Sequence, residues 1–241
     1  MRYFQKKPSL FWTLTDGPRA GFEWINFKLK QHSLLQLPKG DGHAVIFFPG
    51  LLGDDSSTRP MRQLFTDLGY KTYGWDLGQN LHFNDERETK MNALVERIYK
   101  KYGQKVSLIG WSLGGVFARE IAKSNPDMVR NVITLGSPIS GDLDHTHAKR
   151  IYEIYNGKPD TVMKNRLTKI PIAPSVPTSC LYSKRDGIVS WKGAMQITEQ
   201  KQTENIHIRS SHIGFGLNPK AMVIIANRLA QKEGEWQPYA T

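Results

Sequence analysis

The chain has 241 residues, 39% of them hydrophobic, and a formal net charge of +11. This length and composition suit one α/β domain with a large core, and no apolar run approaches the about eighteen residues that a membrane-spanning helix needs. The positive charge is dispersed, without a long basic run or a nucleic-acid-binding motif, so we expect no nucleic acid partner and no stable membrane insertion, and leave open weak association with an anionic membrane surface.

Residues 1–40 carry no recognisable catalytic motif, but apolar and charged side chains alternate in them. This pattern predicts a short amphipathic helix or hairpin that packs on the domain formed by residues 41–241, and an amphipathic membrane anchor is the alternative. The basic start is followed by no small-residue cleavage site, so we expect no export signal. Cys180 is the sole cysteine, which excludes an intrachain disulfide and agrees with a cytoplasmic location.

From residue 43 onward, continuous apolar runs alternate with segments of helical periodicity. Such runs are typical of strands buried on both faces, so the alternation predicts a mostly parallel sheet with helices on both sides. The alternation lapses from about 140 to 175, where the chain forms either a functional insertion or a disordered loop. The predicted strands are 43–48, 71–75, 106–110, 129–135, 177–183 and 206–208, and the predicted helices are 57–68, 85–102, 115–123 and 219–229.

A strand–turn–helix motif, Gly110-x-Ser112-x-Gly114, follows the third predicted strand. A turn this tight brings the neighbours of the serine together, and glycine avoids the Cβ clash that any other residue would cause there. The turn predicts that the Ser112 hydroxyl points away from the sheet as a nucleophile. It also places the backbone N–H of Leu113 at a helix N-terminus, where it can stabilise an oxyanion.

A serine nucleophile needs a histidine base and an orienting carboxylate, which follow it in the order acid, then histidine, on this type of scaffold. His212 lies in a loop after the last predicted strand, where ligands gather in open α/β sheets, and it is the preferred base. The other candidates are His145 and His147 in the irregular segment and His207 within a strand.

Asp186 is the preferred acid because it follows the strand 177–183 and is next to Gly187, which permits a sharp turn. Asp142 also follows a strand and is the runner-up, ahead of Asp144 and Asp160.

The loop after the first strand, Pro49-Gly50-Leu51-Leu52, is expected to supply a second oxyanion donor, the backbone N–H of Leu51. Trp111, Leu52 and Phe215 lie close in sequence to these groups. They are candidates for the lining of an apolar acyl pocket, with core packing as the alternative interpretation.

Taken together, these motifs resemble the α/β-hydrolase fold superfamily, nearest to bacterial esterase and lipase-like serine hydrolases. The resemblance extends from about 43 to 232 and implies an α/β-hydrolase fold with a small cap or lid insertion at about 140–175. The segments that carry it are Pro49-Gly50-Leu51, Gly110–Gly115, Leu135–Pro138, Asp186–Val189 and Ser211-His212 with Gly214.

The resemblance also implies hydrolysis of carboxylic esters, either small molecules or lipids, through an acyl-serine intermediate. In that reaction Ser112 attacks, His212 transfers the proton, Asp186 holds the imidazole, and Leu51 and Leu113 bind the oxyanion. This chain has Pro49-Gly50 where related lipases carry His-Gly. An acyltransferase on the same fold and a non-catalytic binding protein with a vestigial triad are the alternatives. The sequence shows no sign of a metal or organic cofactor.

Overall fold

A computed structural model describes residues 7–81, 84–197 and 200–240. Its six strands form a sheet in the order β2-β1-β3-β4-β5-β6, in which every neighbouring pair is parallel. The predicted parallel sheet is therefore confirmed. The strands are β1 (Ala44–Phe48), β2 (Lys71–Tyr73), β3 (Val106–Trp111), β4 (Val129–Leu135), β5 (Thr178–Tyr182) and β6 (Thr203–His207).

Helices cover both faces of the sheet and bury two large apolar clusters and a small third one. They are α1 (Leu10–Leu29), α2 (Gln31–Leu34), α3 (Asp55–Asp67), α4 (Asp85–Tyr102), α5 (Leu113–Ser124), α6 (Lys149–Asn156), α7 (Thr161–Lys169) and α8 (Pro219–Leu229). Val45 and Phe47 of β1 pack with residues of α1, α2, α3 and α8, whereas Ile46 and Phe48 pack with α4 and α5. This alternation follows from the two-residue period of a strand.

Local signals explain where the long helix α4 begins and ends. The Asn84 side chain accepts a hydrogen bond from the Arg87 N–H at 2.9 Å, which caps the first turn. Gly103 ends the helix in the left-handed conformation, with φ of 62°. Acidic residues occupy the first turn and Lys100 and Lys101 the last, in the order that the helix dipole favours.

The segment between β4 and β5 carries α6 and α7 and is tied to the body by polar contacts. Arg166 of α7 forms ion pairs with Asp85 (2.7 Å) and Glu88 (2.8 Å) of α4. Near the end of this segment, the carbonyl of Ile172 accepts a hydrogen bond from the fully buried side chain of Arg119 on α5, at 3.1 Å. A buried guanidinium needs such acceptors, so Arg119 fixes where the segment rejoins the core.

Cys180 lies buried in β5, where burial raises the pKa of its thiol. This position is that of a small core side chain, and the cytoplasmic location stays a prediction. None of the helices in the described ranges is long and apolar enough to cross a membrane.

Candidate active site

Ser112 occupies a strained turn between β3 and α5, with φ of 53° and ψ of −122°. Left-handed backbone is costly for a residue with a Cβ and persists where the surroundings enforce it. A Cβ on Gly110 would overlap the backbone of Gly115, and one on Gly114 would overlap the carbonyl of Phe48. The glycines therefore let the turn close tightly against β1, and the serine side chain is left at its apex.

The side chains of Ser112, His212 and Asp186 form a continuous chain of hydrogen bonds. The Ser112 Oγ lies 2.9 Å from His212 Nε2, and His212 Nδ1 lies 2.7 Å from Asp186 Oδ2. The three residues are 7%, 5% and 4% exposed, respectively. The second oxygen of Asp186 accepts the N–H groups of Ile188 (2.8 Å) and Val189 (2.7 Å), which fixes the carboxylate plane.

The environment of His212 favours its protonated form. Burial alone lowers the pKa of the imidazole, but the charge and hydrogen bond of Asp186, together with the charge of Asp16, outweigh it and raise the pKa above its ordinary value. A histidine in this environment accepts a proton from a neighbouring hydroxyl more readily than a free imidazole would.

The other candidate histidines lie away from Ser112. The His145 ring bonds to the Ser140 hydroxyl at 3.0 Å, the His147 ring lies 3.1 Å from the carbonyl of residue 8, and His207 is exposed on β6. The structure therefore joins His212, and none of these three, to the serine.

The alternative acids take part in local capping. Asp142 accepts the N–H of Asp144 at 2.8 Å at the start of a short 3₁₀ helix, and Asp160 caps α7 by accepting the N–H of Met163 at 2.7 Å. Asp144 pairs with Lys149. Asp186 is the carboxylate that reaches the His212 ring.

The loop after β1 packs directly against the serine. A Cβ added to Gly50 would lie 3.2 Å from the Ser112 Cβ, and Leu51 lines the same cavity as Ser112. Buried Asn80 holds the loop, because its side chain donates to the Pro49 carbonyl at 2.9 Å and its own carbonyl accepts the N–H of Leu52 at 2.8 Å.

Leu113 is the first residue of α5. Its N–H therefore has no acceptor within the helix, and it carries part of the positive end of the helix dipole. The N–H groups predicted from the sequence, those of Leu51 and Leu113, thus come from two segments that meet beside Ser112.

A cavity of about 400 Å³ opens at Ser112 and runs along α5 beneath α6 and α7. Its lining includes the apolar side chains of Leu113, Val116, Phe117, Met163, Leu167 and Ile170. Charged side chains also line it: Glu88, Glu120, Asp142, Lys149, Arg166 and Lys169. The cavity thus combines an apolar wall with several charged groups.

The three residues predicted to line an acyl pocket do not line this cavity, and that assignment needs correction. Phe215 is fully buried in the core cluster beneath Gly136. Trp111 packs against the same cluster and donates its indole N–H to the His212 carbonyl at 3.0 Å. Leu52 has a positive φ of 66° and is 40% exposed. Closeness in sequence to the site did not determine which way these side chains point.

Asp16, a buried carboxylate on α1, belongs to the site although no motif in the sequence indicates it. Its Oδ2 accepts the N–H groups of His212 (2.8 Å) and Gly187 (2.9 Å), and its Oδ1 accepts that of Ile213 (3.0 Å). Asp16 therefore ties the loop that carries the base to the loop that carries the acid. A single aspartate in an amphipathic segment has no local signal that would reveal this role.

Glu23, two turns farther along α1, supports the same loop from the other side. It accepts the N–H of Ser211 at 3.1 Å, the hydroxyl of Ser211, and the amide of Asn218 at 3.1 Å. The helix thus contacts the histidine loop through two carboxylates.

A family model described as palmitoyl protein thioesterase matches residues 44–184, which is more than half of the chain. The chain belongs to the palmitoyl protein thioesterase family. The matched residues include the loop after β1 and the turn at Ser112, and they end just before Asp186. Membership of this family supports hydrolysis of esters or thioesters as the activity to propose. No curated protein sequence matches the chain.

Solved structures confirm that this thioesterase-family protein has the predicted α/β-hydrolase fold. Aspergillus fumigatus lipase B aligns with a TM-score of 0.61 at 18% identity, covering 80% of this chain and 54% of the lipase, so the chain spans about half of that protein's length. Paleococcus ferrophilus monoacylglycerol lipase (TM-score 0.58, 14% identity) covers 80% and 96% of the two chains. Bacillus licheniformis lipase BlEst2 (0.57, 18%) covers 80% and 94%.

Proposed function

We propose that the protein hydrolyses acyl esters or thioesters through a covalent acyl-Ser112 intermediate. The observation that carries the proposal is the hydrogen-bonded chain from Ser112 through His212 to Asp186, with distances of 2.9 and 2.7 Å, at the mouth of an apolar cavity. A hydroxyl, a base and an orienting carboxylate in this geometry are the parts that acyl transfer requires.

In the first half-reaction, the Ser112 Oγ attacks the carbonyl carbon while His212 Nε2 takes the hydroxyl proton. Negative charge on the carbonyl oxygen is stabilised by the N–H groups of Leu51 and Leu113. The carbon–oxygen or carbon–sulfur bond then breaks, and the imidazolium returns the proton to the leaving alcohol or thiol. In the second half-reaction, His212 deprotonates water, which attacks the acyl-enzyme and releases the acid and the free Ser112 hydroxyl.

The lining of the cavity supports an apolar acyl group of limited length. From Leu113 to Phe117 the helix α5 rises about 6 Å at 1.5 Å per residue, and this section contributes Leu113, Val116 and Phe117 to the apolar lining. Glu120 is the next α5 residue in the lining, and Lys149, Arg166 and Lys169 add further charges. Burying the methylene groups of a longer chain against charges gains little free energy. We therefore infer a preference for acyl chains shorter than palmitoyl.

The direct test is hydrolysis of p-nitrophenyl butyrate by the wild type and by Ser112→Ala. We expect the substitution to lower kcat by about 10³-fold or more, as loss of a triad nucleophile does. Ser124→Ala, in a serine that lines the far end of the cavity, is the matched control and should change kcat by less than about threefold. Equal activity of Ser112→Ala and wild type would overturn the proposal and would favour a binding protein.

A second measurement defines the substrate. We expect kcat/KM for p-nitrophenyl esters to rise up to about four to eight carbons and to fall by palmitate. Acyl-thioester analogues of the same lengths, followed by release of the free thiol, would show whether the leaving atom is oxygen or sulfur. A maximum at palmitoyl would contradict the length inferred from the cavity while leaving the Ser112 chemistry intact.

A further inference from the structure

Helix α1 turns carboxylate side chains towards the domain and large apolar side chains towards solvent, which is the reverse of most surface helices. Its charged side chains Asp16 and Glu23 face the domain and bind the catalytic loops. Ala20 and Phe27 are the apolar residues buried beside them. A surface helix normally turns its apolar stripe to the core and its polar face to water, so the opposite face of α1 requires an explanation.

That opposite face is a continuous apolar strip. Its members follow one another at intervals of three or four residues, which places them on one side of the helix. Leu14 is 78% exposed and Leu29 is 79% exposed. We call this set the α1 apolar face: Phe11, Leu14, Pro18, Phe22, Ile25 and Leu29. Large apolar side chains that are contiguous and exposed mark a surface that contacts another apolar medium.

The exposed charges of residues 7–40, the stretch that contains the α1 apolar face, have one sign. Asp16 and Glu23 are the acidic residues between positions 7 and 40, and both are turned towards the domain. The exposed charged side chains of the same stretch are lysines, at positions 7, 28, 30 and 39. An apolar strip bordered by lysines is complementary to an apolar medium with a negatively charged surface.

We propose that the α1 apolar face binds the surface of an anionic lipid bilayer, with its large side chains between the headgroups and its lysines on the phosphates. The binding is peripheral, because the other side of α1 is fixed to the domain by Asp16 and Glu23. Pairing of two α1 helices would instead bring Lys28 and Lys30 against cationic residues of a second copy, with no exposed carboxylate on this stretch to neutralise them.

The position of α1 relates this surface to the catalytic edge of the sheet. Asp16 contacts the backbone of both Gly187 and His212, so the loops of the acid and the base lie directly beneath the helix. A helix with its side chains is about 10 Å across. Binding through the outer face therefore brings the loops of Asp186 and His212 to within about one helix diameter of the lipid.

The test is co-sedimentation of the full chain with vesicles. We expect binding to vesicles of equal parts phosphatidylcholine and phosphatidylglycerol, weaker binding at high salt, and little binding to phosphatidylcholine alone. The double variant Leu14→Ser/Ile25→Ser should weaken binding to the anionic vesicles by about tenfold or more, because two large apolar contacts are lost.

Ile197→Ser is the matched control, since Ile197 is 76% exposed but lies outside α1; its binding should equal that of the wild type. Hydrolysis of a soluble ester and circular dichroism would show that each variant is folded. Failure of the wild type to sediment with anionic vesicles would overturn the proposal, as would undiminished binding by the double variant. A dimer in light scattering that Leu14→Ser dissociates would overturn it in favour of a second copy.

Discussion

Among the residues that the structure describes, serine, histidine and aspartate side chains are joined by hydrogen bonds at two places, at opposite ends of the strands of the sheet. At the carboxyl ends of the strands, Ser112, His212 and Asp186 are joined as described. At the amino ends, His43 Nε2 lies 2.8 Å from the Ser107 Oγ and its Nδ1 bonds to Asp41. The same three residue types therefore meet twice, and the two clusters differ in what surrounds them.

The two serines differ in whether a substrate can reach their hydroxyl groups. Ser107 lies within β3, fully buried and paired in register with Val45 and Asn131, so no substrate can reach its hydroxyl. Ser112 lies one residue beyond the same strand, at the apex of a turn that opens into a cavity. The turn, and not the serine itself, makes the hydroxyl available.

The two histidines differ in the charges that surround their imidazole rings. Burial and the nearby positive charge of Arg130 hold the pKa of His43 below its ordinary value, against the opposing effect of Asp41. Two carboxylates, Asp186 and Asp16, raise the pKa of His212 in spite of its burial. The two histidines therefore differ in the balance between burial and nearby charge, and in His212 that balance favours the protonated ring.

Matched histidine substitutions would give the largest difference between the two clusters. We expect His212→Gln to lower kcat for p-nitrophenyl butyrate by about 10³-fold or more, because no other group can take the serine proton. His43→Gln should leave kcat within about threefold and reduce the free energy of unfolding by about 1–3 kcal/mol, because it disturbs a buried hydrogen bond. Steady-state kinetics and urea unfolding measure the two effects. A large loss of kcat in His43→Gln would contradict the conclusion that the His43 cluster has a structural role and the His212 cluster a catalytic one.

The contribution of Asp16 to the charge around the His212 ring can be measured in a pH profile. Because the base must be neutral, kcat/KM should decline as pH falls through the pKa of His212, which lies above 6.5. Asp16→Asn removes a negative charge near the imidazole and lowers that pKa, so the acid limb should move to lower pH. We also expect kcat to fall by about tenfold as the backbone contacts loosen.

Glu23→Gln is the control for that experiment, since Glu23 holds the same loop through Ser211. It should reduce kcat and leave the acid limb of the profile where it is in the wild type. If the two variants shift the limb equally, loop disturbance and not charge accounts for the effect of Asp16. A wild type without ester hydrolysis would instead reject the proposed function itself.

The smallest expected effect is the dependence of stability on pH. A histidine whose pKa is lowered by folding binds protons more readily in the unfolded state, so His43 destabilises the fold as pH drops below about 6.5. In urea unfolding at pH 7.5 and pH 5.5, His43→Gln should lose less stability on acidification than the wild type. A steeper loss in the variant would contradict the lowered pKa.

The sequence was sufficient to predict the sheet and the proximity of Ser112, His212 and Asp186, because these signals are local or follow from chain order. The glycines around Ser112 identify the turn, and His212 follows the last strand at the edge where parallel strands end. By contrast, Asp16 and His212 are 196 residues apart, and no spacing rule connects them. Contacts of that kind depend on packing and have no local pattern.

The N-terminal segment shows a second limit of prediction from sequence. Its apolar periodicity predicts an amphipathic helix, but periodicity does not tell which face is turned inward. Here the contacts of Asp16 and Glu23 with backbone N–H groups fix the orientation, and the large apolar side chains remain outside. Phe215 shows the converse, since an aromatic residue three positions after His212 lies in the core.

The bond between Asp16 and the His212 backbone also bears on biosynthesis. His212 is synthesised 196 residues after Asp16, so this long-range contact cannot form before translation has passed residue 212. The loops of Asp186 and His212 acquire their fixed relation to α1 only after that point.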